Sequence, residues 1–291
     1  MSRNISGEIS DLIKTALSED VPHGDISSDA VIPKNLKAKG AVRSKGDYVV
    51  SGIDVAKKTY SIVDKNIKFK TKYKNGQIVE KGSILFEVYG SVHSLLKAER
   101  TVLNIISHMM GIATRTKHFV DMVKGTGAVI LDTRKTLPGL RTMQKLAVTH
   151  GGGKNHRMSL SDAVLLKENH VSAGGGIKES LKKIKKLKDK KIKIEIEVRN
   201  LKELKLALGS KTRPDVIMLD NMSVGETKDA VRLAKGRVKL ESSGNIDERN
   251  IKKYAGTGVD FISLGTLTHS VKGADLSFIL DAVKPISAKG K

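Results

Sequence analysis

The sequence predicts an α/β protein in which six parallel strands follow a smaller region of helix and short sheet. Three observations predict it: six short apolar runs recur between residues 128 and 265, helix-like segments separate them, and residues 37–90 instead carry brief strand-like runs broken by turn residues. The six runs are AVILDT at 128–133, DAVLLKE at 162–168, IKIEIEV at 192–198, DVIMLD at 215–220, RVKLES at 237–242 and VDFISLG at 259–265. NLKELKLALG and SVGETKDAVRLAKG are typical of the segments between them. Such alternation implies helical crossovers between parallel strands, in either a barrel or an open doubly wound sheet.

Taken in order, the chain opens with Ile5, Ile9, Leu12, Ile13, Ala16 and Leu17 at helical spacing, which predicts a docked amphipathic helix and not the apolar block of a secretory signal. KAKGAVRSKGDYVVSG and IKFKTKYKNGQIVEKGSILFEVYG then read as short strands of a small sheet region, with reversals at Asn75-Gly76 and Lys81-Gly82. From Ser94 to Met110 the period becomes helical, with Leu95, Leu96, Val102, Leu103, Ile106, Met109 and Met110 in one stripe. Glu99 falls inside that stripe and Arg100 at its border. A domain boundary is expected within 111–126, after Gly111 and before Gly125-Thr126-Gly127. The nine lysines from Lys178 to Lys193 surround Leu181, Ile184 and Leu187 and predict a solvated helix face. Gly151–Gly153 and Gly174–Gly176 lack a strand-GxGxxG-helix context and read as mobile loops.

Composition narrows the function classes. With 291 residues the chain is long enough for one or two domains, and 39% hydrophobic with 29% charged residues is globular. Zero cysteines exclude disulfides, thiolate metal sites and cysteine nucleophiles. A net charge of +22 attracts polyanions or phosphorylated small molecules. Aromatic residues at 3%, without tryptophan, provide few stacking platforms for single-stranded nucleic acid. The apolar runs are far shorter than the roughly 20 residues that cross a bilayer. A soluble, cytoplasmic protein bound to neither membrane nor nucleic acid is expected.

In parallel α/β architectures the reactive groups collect at the carboxyl ends of the strands. Here the successive strand ends carry Asp132-Thr133-Arg134-Lys135, Lys167-Glu168-Asn169-His170, Glu195 and Glu197, Asp220-Asn221, Ser242-Ser243-Gly244-Asn245, and Gly265-Thr266. Between 134 and 167 the chain holds seven cations (Arg134, Lys135, Arg141, Lys145, Lys154, Arg157, Lys167) against the single acid Asp162, with His150 and His156 added. Guanidinium forks match carboxylates and phosphates bidentately, so several on one face imply a ligand with more than one anionic group. The last two strand ends offer small residues and free N–H groups for a phosphate. Glu197 and Asp220 can share Mg²⁺ or bind sugar hydroxyls; alternation alone leaves open whether Glu195 or Glu197 does that work. His93, His108 and His118 have no metal-ligand spacing.

EDVPHGDISSDAVIP, AERTVLNIISHMMGIAT, DTRKTLPGLR, GGGKNHR, LLKENH, IEIEV, IMLDN, SSGN and SLG, in that order, resemble the quinolinate phosphoribosyltransferase family over nearly the whole chain, 132–170 being the most specific stretch. The resemblance implies an N-terminal α/β sandwich domain at 1–112, with 270–291 packing back on it. It also implies an incomplete six-stranded parallel α/β barrel at 113–269 and a homodimer. The implied reaction joins quinolinate to phosphoribosyl pyrophosphate, with Mg²⁺, giving nicotinate mononucleotide, CO₂ and pyrophosphate. By the same resemblance Arg134, His156, Arg157 and Lys167 form the quinolinate pocket, Lys135 stands beside it toward the pyrophosphate, and Arg100 enters from the partner subunit. Glu197 and Asp220 hold ribose hydroxyls and Mg²⁺, directly or through water or substrate. Ser243, Gly244, Asn245 and Gly265 form the 5′-phosphate loops, Asn245 departing from a glycine expected there. Lys135, Glu197 and Asp220 are expected to take part in the chemistry. The rival readings are a phosphoribosyltransferase for nicotinate or another aromatic acid and, from a different class, a basic nucleic-acid-binding protein.

Overall fold

The computed structural model describes residues 5–281. In order they form α1 (Ile5–Asp20), α2 (Ile26–Val31), β1 (Lys37–Ser44), β2 (Tyr48–Val49), α3 (Ile53–Val63), β3 (Lys68–Thr71), β4 (Ile78–Val79), β5 (Ile84–Ser91), α4 (Val92–Met122), β6 (Val129–Leu131) and α5 (Arg141–His150). There follow β7 (Val164–Leu166), α6 (Glu168–Ala173), α7 (Ile177–Lys183), α8 (Lys185–Asp189), β8 (Ile194–Val198), α9 (Leu201–Leu208), β9 (Val216–Asp220), α10 (Val224–Ala234), β10 (Lys239–Ser243), α11 (Ile251–Ala255), β11 (Phe261–Ser263) and β12 (Leu276–Asp281). The chain divides into two units. One takes residues up to Arg115, Leu137–Gly152 and those from Ser270; the other takes Thr116–Thr136 and Gly153–His269.

The first unit is built on an antiparallel sheet ordered β12-β1-β5-β3 among the described residues. Alternation along β1 turns Ala38, Gly40, Val42 and Ser44 to one face, and Val42 stands between Phe86 of β5 and Phe278 of β12. That face closes on α3 and α4 through Val42, Tyr60, Phe86, Leu95, Val102 and Ile106, all at most 2% exposed. The Phe69 and Phe86 rings stack with centroids 4.7 Å apart. Each such side chain contributes roughly 1.5–3 kcal/mol by leaving water, so this sheet and its helices have a core of their own. Residues 282–291 lie outside the described residues.

Two local expectations change here. The region read as short strands includes a helix, α3, whose Ile53, Ala56 and Tyr60 recur at helical spacing and are buried. The helical stripe read over Ser94–Met110 belongs to a longer helix, α4, which runs through Gly111 to Met122. Gly111 serves a close approach instead: a Cβ there would lie 2.3 Å from the Lys272 carbonyl oxygen.

The second unit carries the six-stranded sheet, ordered β6-β11-β10-β9-β8-β7, and every pairing in it is parallel. All six strands fall on the six apolar runs. Among the described residues β6 and β7 do not pair with one another, so the barrel is incomplete; the free side of β6 is bridged by Lys154 opposite Leu131. Helices between the strands are closed by local chemistry, as at α10, where Ser223 and Glu226 form a capping box. On the lysine-rich segment, α7 buries Ile177 and Leu181 and leaves Lys178, Lys182 and Lys183 exposed. No described helix is long and apolar enough to cross a membrane.

Candidate active site

A cavity of about 620 Å³ opens at the carboxyl ends of the six strands of the second unit, within the size range of small-molecule sites. Each strand supplies its last inward residues. Thr133, Arg134 and Lys135 follow β6, Lys167 follows β7, Glu197 ends β8, and Asp220 with Asn221 ends β9. Ser243, Gly244 and Asn245 end β10, and Gly265, Thr266 and His269 follow β11. His156 and Arg157 arrive on the segment between β6 and β7. Eleven of the twelve residues singled out from the sequence therefore meet in one cavity. Arg100 does not: it lies on α4 in the first unit, its side chain 61% exposed, with Glu99 at 4.0 Å.

Cations crowd one side. Arg157 is 9% exposed, donates from Nη1 to the Ala163 carbonyl at 3.0 Å, and has a buried Nε with no hydrogen-bond acceptor. Arg134 likewise buries an Nε without an acceptor. Burial, and then the positive charge of Arg134, push the Arg157 pKa down. Two guanidinium groups that repel one another in a desolvated pocket form a site prepared for anions, because an unmet buried donor costs roughly 1–3 kcal/mol. The segment carrying Arg157 is pinned by Asp132, whose Oδ1 accepts the His156 backbone N–H at 2.8 Å.

Across the cavity stand the acids. Glu197 Oε1 accepts from Lys167 Nζ at 2.6 Å, a contact that joins the cationic and acidic sides of the cavity. The Asp220 carboxylate, one strand over, faces the same space. Beyond it the loops after β9 and β10 are held in an unusual backbone conformation: φ is +54° at Asn221, +93° at Gly244 and +51° at Asn245. Asn245 Nδ2 donates to Asn221 Oδ1 at 3.0 Å, and the Asn221 N–H donates to the Ser243 carbonyl at 2.9 Å. Asparagine tolerates the left-handed region better than other side chains, which explains its presence where a glycine was expected.

Sequence reasoning left several cavity residues out. Glu241 and Ser263 line the floor, and His269 the rim. Glu241 had a signal: it lies two residues before Ser243 on β10, just as Glu195 precedes Glu197 on β8, so it shares the inward face. Thr266 follows directly on Gly265, and its buried hydroxyl has no hydrogen-bond partner. Burial, and next the charge of Glu195, hold the Glu241 carboxyl well above the ordinary carboxylate range.

Comparison with known proteins agrees with this arrangement. Residues 25–110 match the model of the quinolinate phosphoribosyl transferase N-terminal domain, and residues 112–279 that of its C-terminal domain. The chain is 42% identical over 287 residues to the chloroplastic nicotinate-nucleotide pyrophosphorylase (carboxylating) of Arabidopsis thaliana, covering 93% of this chain and 82% of that one. It is 41% identical over 276 residues to the enzyme of the same name from Mycobacterium leprae, covering 93% and 96%. The solved structure of the nicotinate-nucleotide pyrophosphorylase from Francisella tularensis superposes with a TM-score of 0.91 at 39% identity, covering 97% of this chain and all of that one. Both halves of the chain, its order of motifs and its backbone course thus have one common source: the chain belongs to the quinolinate phosphoribosyltransferase family.

Proposed function

We propose that the protein transfers the phosphoribosyl group of phosphoribosyl pyrophosphate to the ring nitrogen of quinolinate and releases CO₂, giving nicotinate mononucleotide and pyrophosphate in NAD synthesis. The observation that carries this reading is the pair Arg134 and Arg157, whose buried Nε donors have no protein acceptor. One carboxylate would not require both, and quinolinate brings two. Lys135 adds a further charge beside Gly265, within the part of the cavity that takes the phosphorylated donor.

In this reading the chain mainly positions and neutralises. Arg134, Arg157 and Lys167 grip the acceptor carboxylates so that the ring nitrogen faces the anomeric carbon. Ser243, Gly244, Asn245 and Gly265 bind the 5′-phosphate, and Glu197 and Asp220 hold the ribose hydroxyls. A bond forms between ring nitrogen and anomeric carbon as the bond to pyrophosphate breaks. The resulting pyridinium accepts the electron pair left at C2 when the neighbouring carboxylate departs as CO₂, and a proton then fills that position. Asp220, whose carboxylate faces the cavity without a described ion-pair partner, and Glu197 suit Mg²⁺, which takes one or two carboxylates together with substrate phosphate oxygens; when bound it would neutralise the leaving pyrophosphate.

Purified protein supplied with the donor, Mg²⁺ and either quinolinate or nicotinate is expected to release pyrophosphate and CO₂ in equal amounts with quinolinate alone. Turnover of nicotinate without CO₂ would replace this assignment with the other phosphoribosyltransferase. The reading extends to a cytoplasmic homodimer in which the exposed Arg100 of one protomer completes the acceptor pocket of its partner. Mixing inactive Arg100→Ala and Arg157→Ala proteins under conditions of subunit exchange should then restore roughly a quarter of the wild-type activity, since a two-fold interface leaves one intact site in each mixed dimer. No recovery despite demonstrated exchange would remove Arg100 from the site.

A further inference from the structure

Two acids beneath the cations have no part in the chemistry described so far. Glu195 on β8 and Glu241 on β10 are 4% and 1% exposed. They flank β9, Glu195 standing beside Val216 and Glu241 beside Met218. One oxygen of each, Oε1, is buried without a hydrogen-bond partner, and neither carboxyl is paired with a lysine or arginine among the described residues. Their common neighbour is His156. Its Nε2 lies 2.9 Å from Glu195 Oε2 and 3.8 Å from Glu241 Oε2.

The other ring nitrogen settles what the imidazole is doing. Nδ1 accepts the backbone N–H of Arg157 at 2.9 Å, so the ring proton resides on Nε2, which faces the Glu195 carboxylate. Nδ1 is thereby taken up by the chain itself, and Nε2 lies against the acid pair. The ring then acts as a rigid spacer, with the acid pair on one side and the backbone that carries the Arg157 guanidinium on the other. This differs from a direct grip on a substrate carboxylate, the role that the family resemblance implies for His156.

We propose that Glu195 and Glu241 are positioning residues for the acceptor: braced against each other at the cavity floor, they fix the tautomer and tilt of His156, and through it the aim of Arg157. Burial, and next the negative charge of Glu195, hold the Glu241 carboxyl well above the ordinary carboxylate range. That charge also acts on the Arg157 guanidinium, raising the pKa that burial lowers.

The proposal rests on quinolinate as acceptor, and wild-type turnover tests that separately. The variants Glu195→Ala, Glu195→Asp, Glu195→Gln, Glu241→Ala and Glu241→Gln are then compared by KM for each substrate, kcat and thermal melting. At metal sites, removing the acid that orients a ligating histidine typically costs about 10- to 100-fold in affinity or activity, and a loss of that order is expected here. Glu195→Ala and Glu195→Asp, the second with its carboxylate a methylene short of Nε2, are expected to raise the KM for quinolinate by about tenfold or more, with the donor KM changed less than about twofold. Glu195→Gln retains an oxygen for the Nε2 proton and should recover most of the loss. Glu241→Gln, neutral and a donor, should likewise recover most of the loss caused by Glu241→Ala. Should Glu195→Ala fail to fold, Glu195→Asp against Glu195→Gln decides the matter. Equal rises in both KM values, no change in either, or failure of the glutamine variants to exceed their alanine or aspartate counterparts would overturn the proposal.

Discussion

Replacing Arg157 by alanine is expected to lower kcat/KM for quinolinate by roughly 10²–10³-fold, about 3–4 kcal/mol, because a desolvated charge loses its partner when one member is truncated. The size of the effect follows from burial: Arg157 is 9% exposed, so little water can replace the missing guanidinium. Its Nη1 also holds the Ala163 carbonyl, and alanine therefore loosens the segment before β7 as well. Arg157→Lys separates the two contributions. It retains a charge but loses the planar fork, and should restore only part of the activity. Initial rates measured against each substrate in turn provide the check. A donor KM that rises as steeply as the quinolinate KM would mean that Arg157 serves the phosphoribosyl end of the cavity.

Gly244→Ala is the second large effect expected, and it falls at the opposite end of the site. At φ +93° a side chain is strained by roughly 1–3 kcal/mol. A Cβ at that position would also lie 2.2 Å from Asn221 Oδ1, so Asn221 must move and its bond to Asn245 must break. Two loops would lose their shape together. The donor kcat/KM is expected to fall by about 10²-fold, while the affinity for quinolinate without donor changes less than about twofold, since Arg134 and Arg157 are held by other segments. Titration calorimetry with quinolinate alone, set beside donor kinetics, reads both quantities. Unchanged donor kinetics would remove the loop after β10 from the phosphate site.

What lies close in sequence was legible. The six strands were readable because buried parallel strands appear as short apolar runs with polar or glycine ends, and Arg134, Lys135, Glu197, Asp220 and Ser243 were readable because they stand at those ends. The helix α3 was passed over between two turn-rich strand segments, although Ile53, Ala56 and Tyr60 follow a helical period. The apolar stripe of α4 is legible only over Ser94–Met110, although the helix runs on to Met122; the reason for the glycine at 111, the Lys272 carbonyl packed against it, comes from a segment more than 150 residues away.

By itself the sequence determined the α/β class, the order of the parallel strands along the chain, the excess of cations between 134 and 167 and the residues at each strand end, since all of these are set by periodicity and composition within a few neighbours. Only the tertiary structure decided that Lys167 pairs with Glu197, that Asn221 locks Asn245, and that Glu195, Glu241 and His156 share one buried space. Those contacts follow from the side-by-side order of β7, β8, β9 and β10 and the return of the 153–163 segment beside β6. Hydrogen-bonded strand neighbours bring together residues tens of positions apart, and no local pattern records which oxygen will face which nitrogen once water has been excluded from between them.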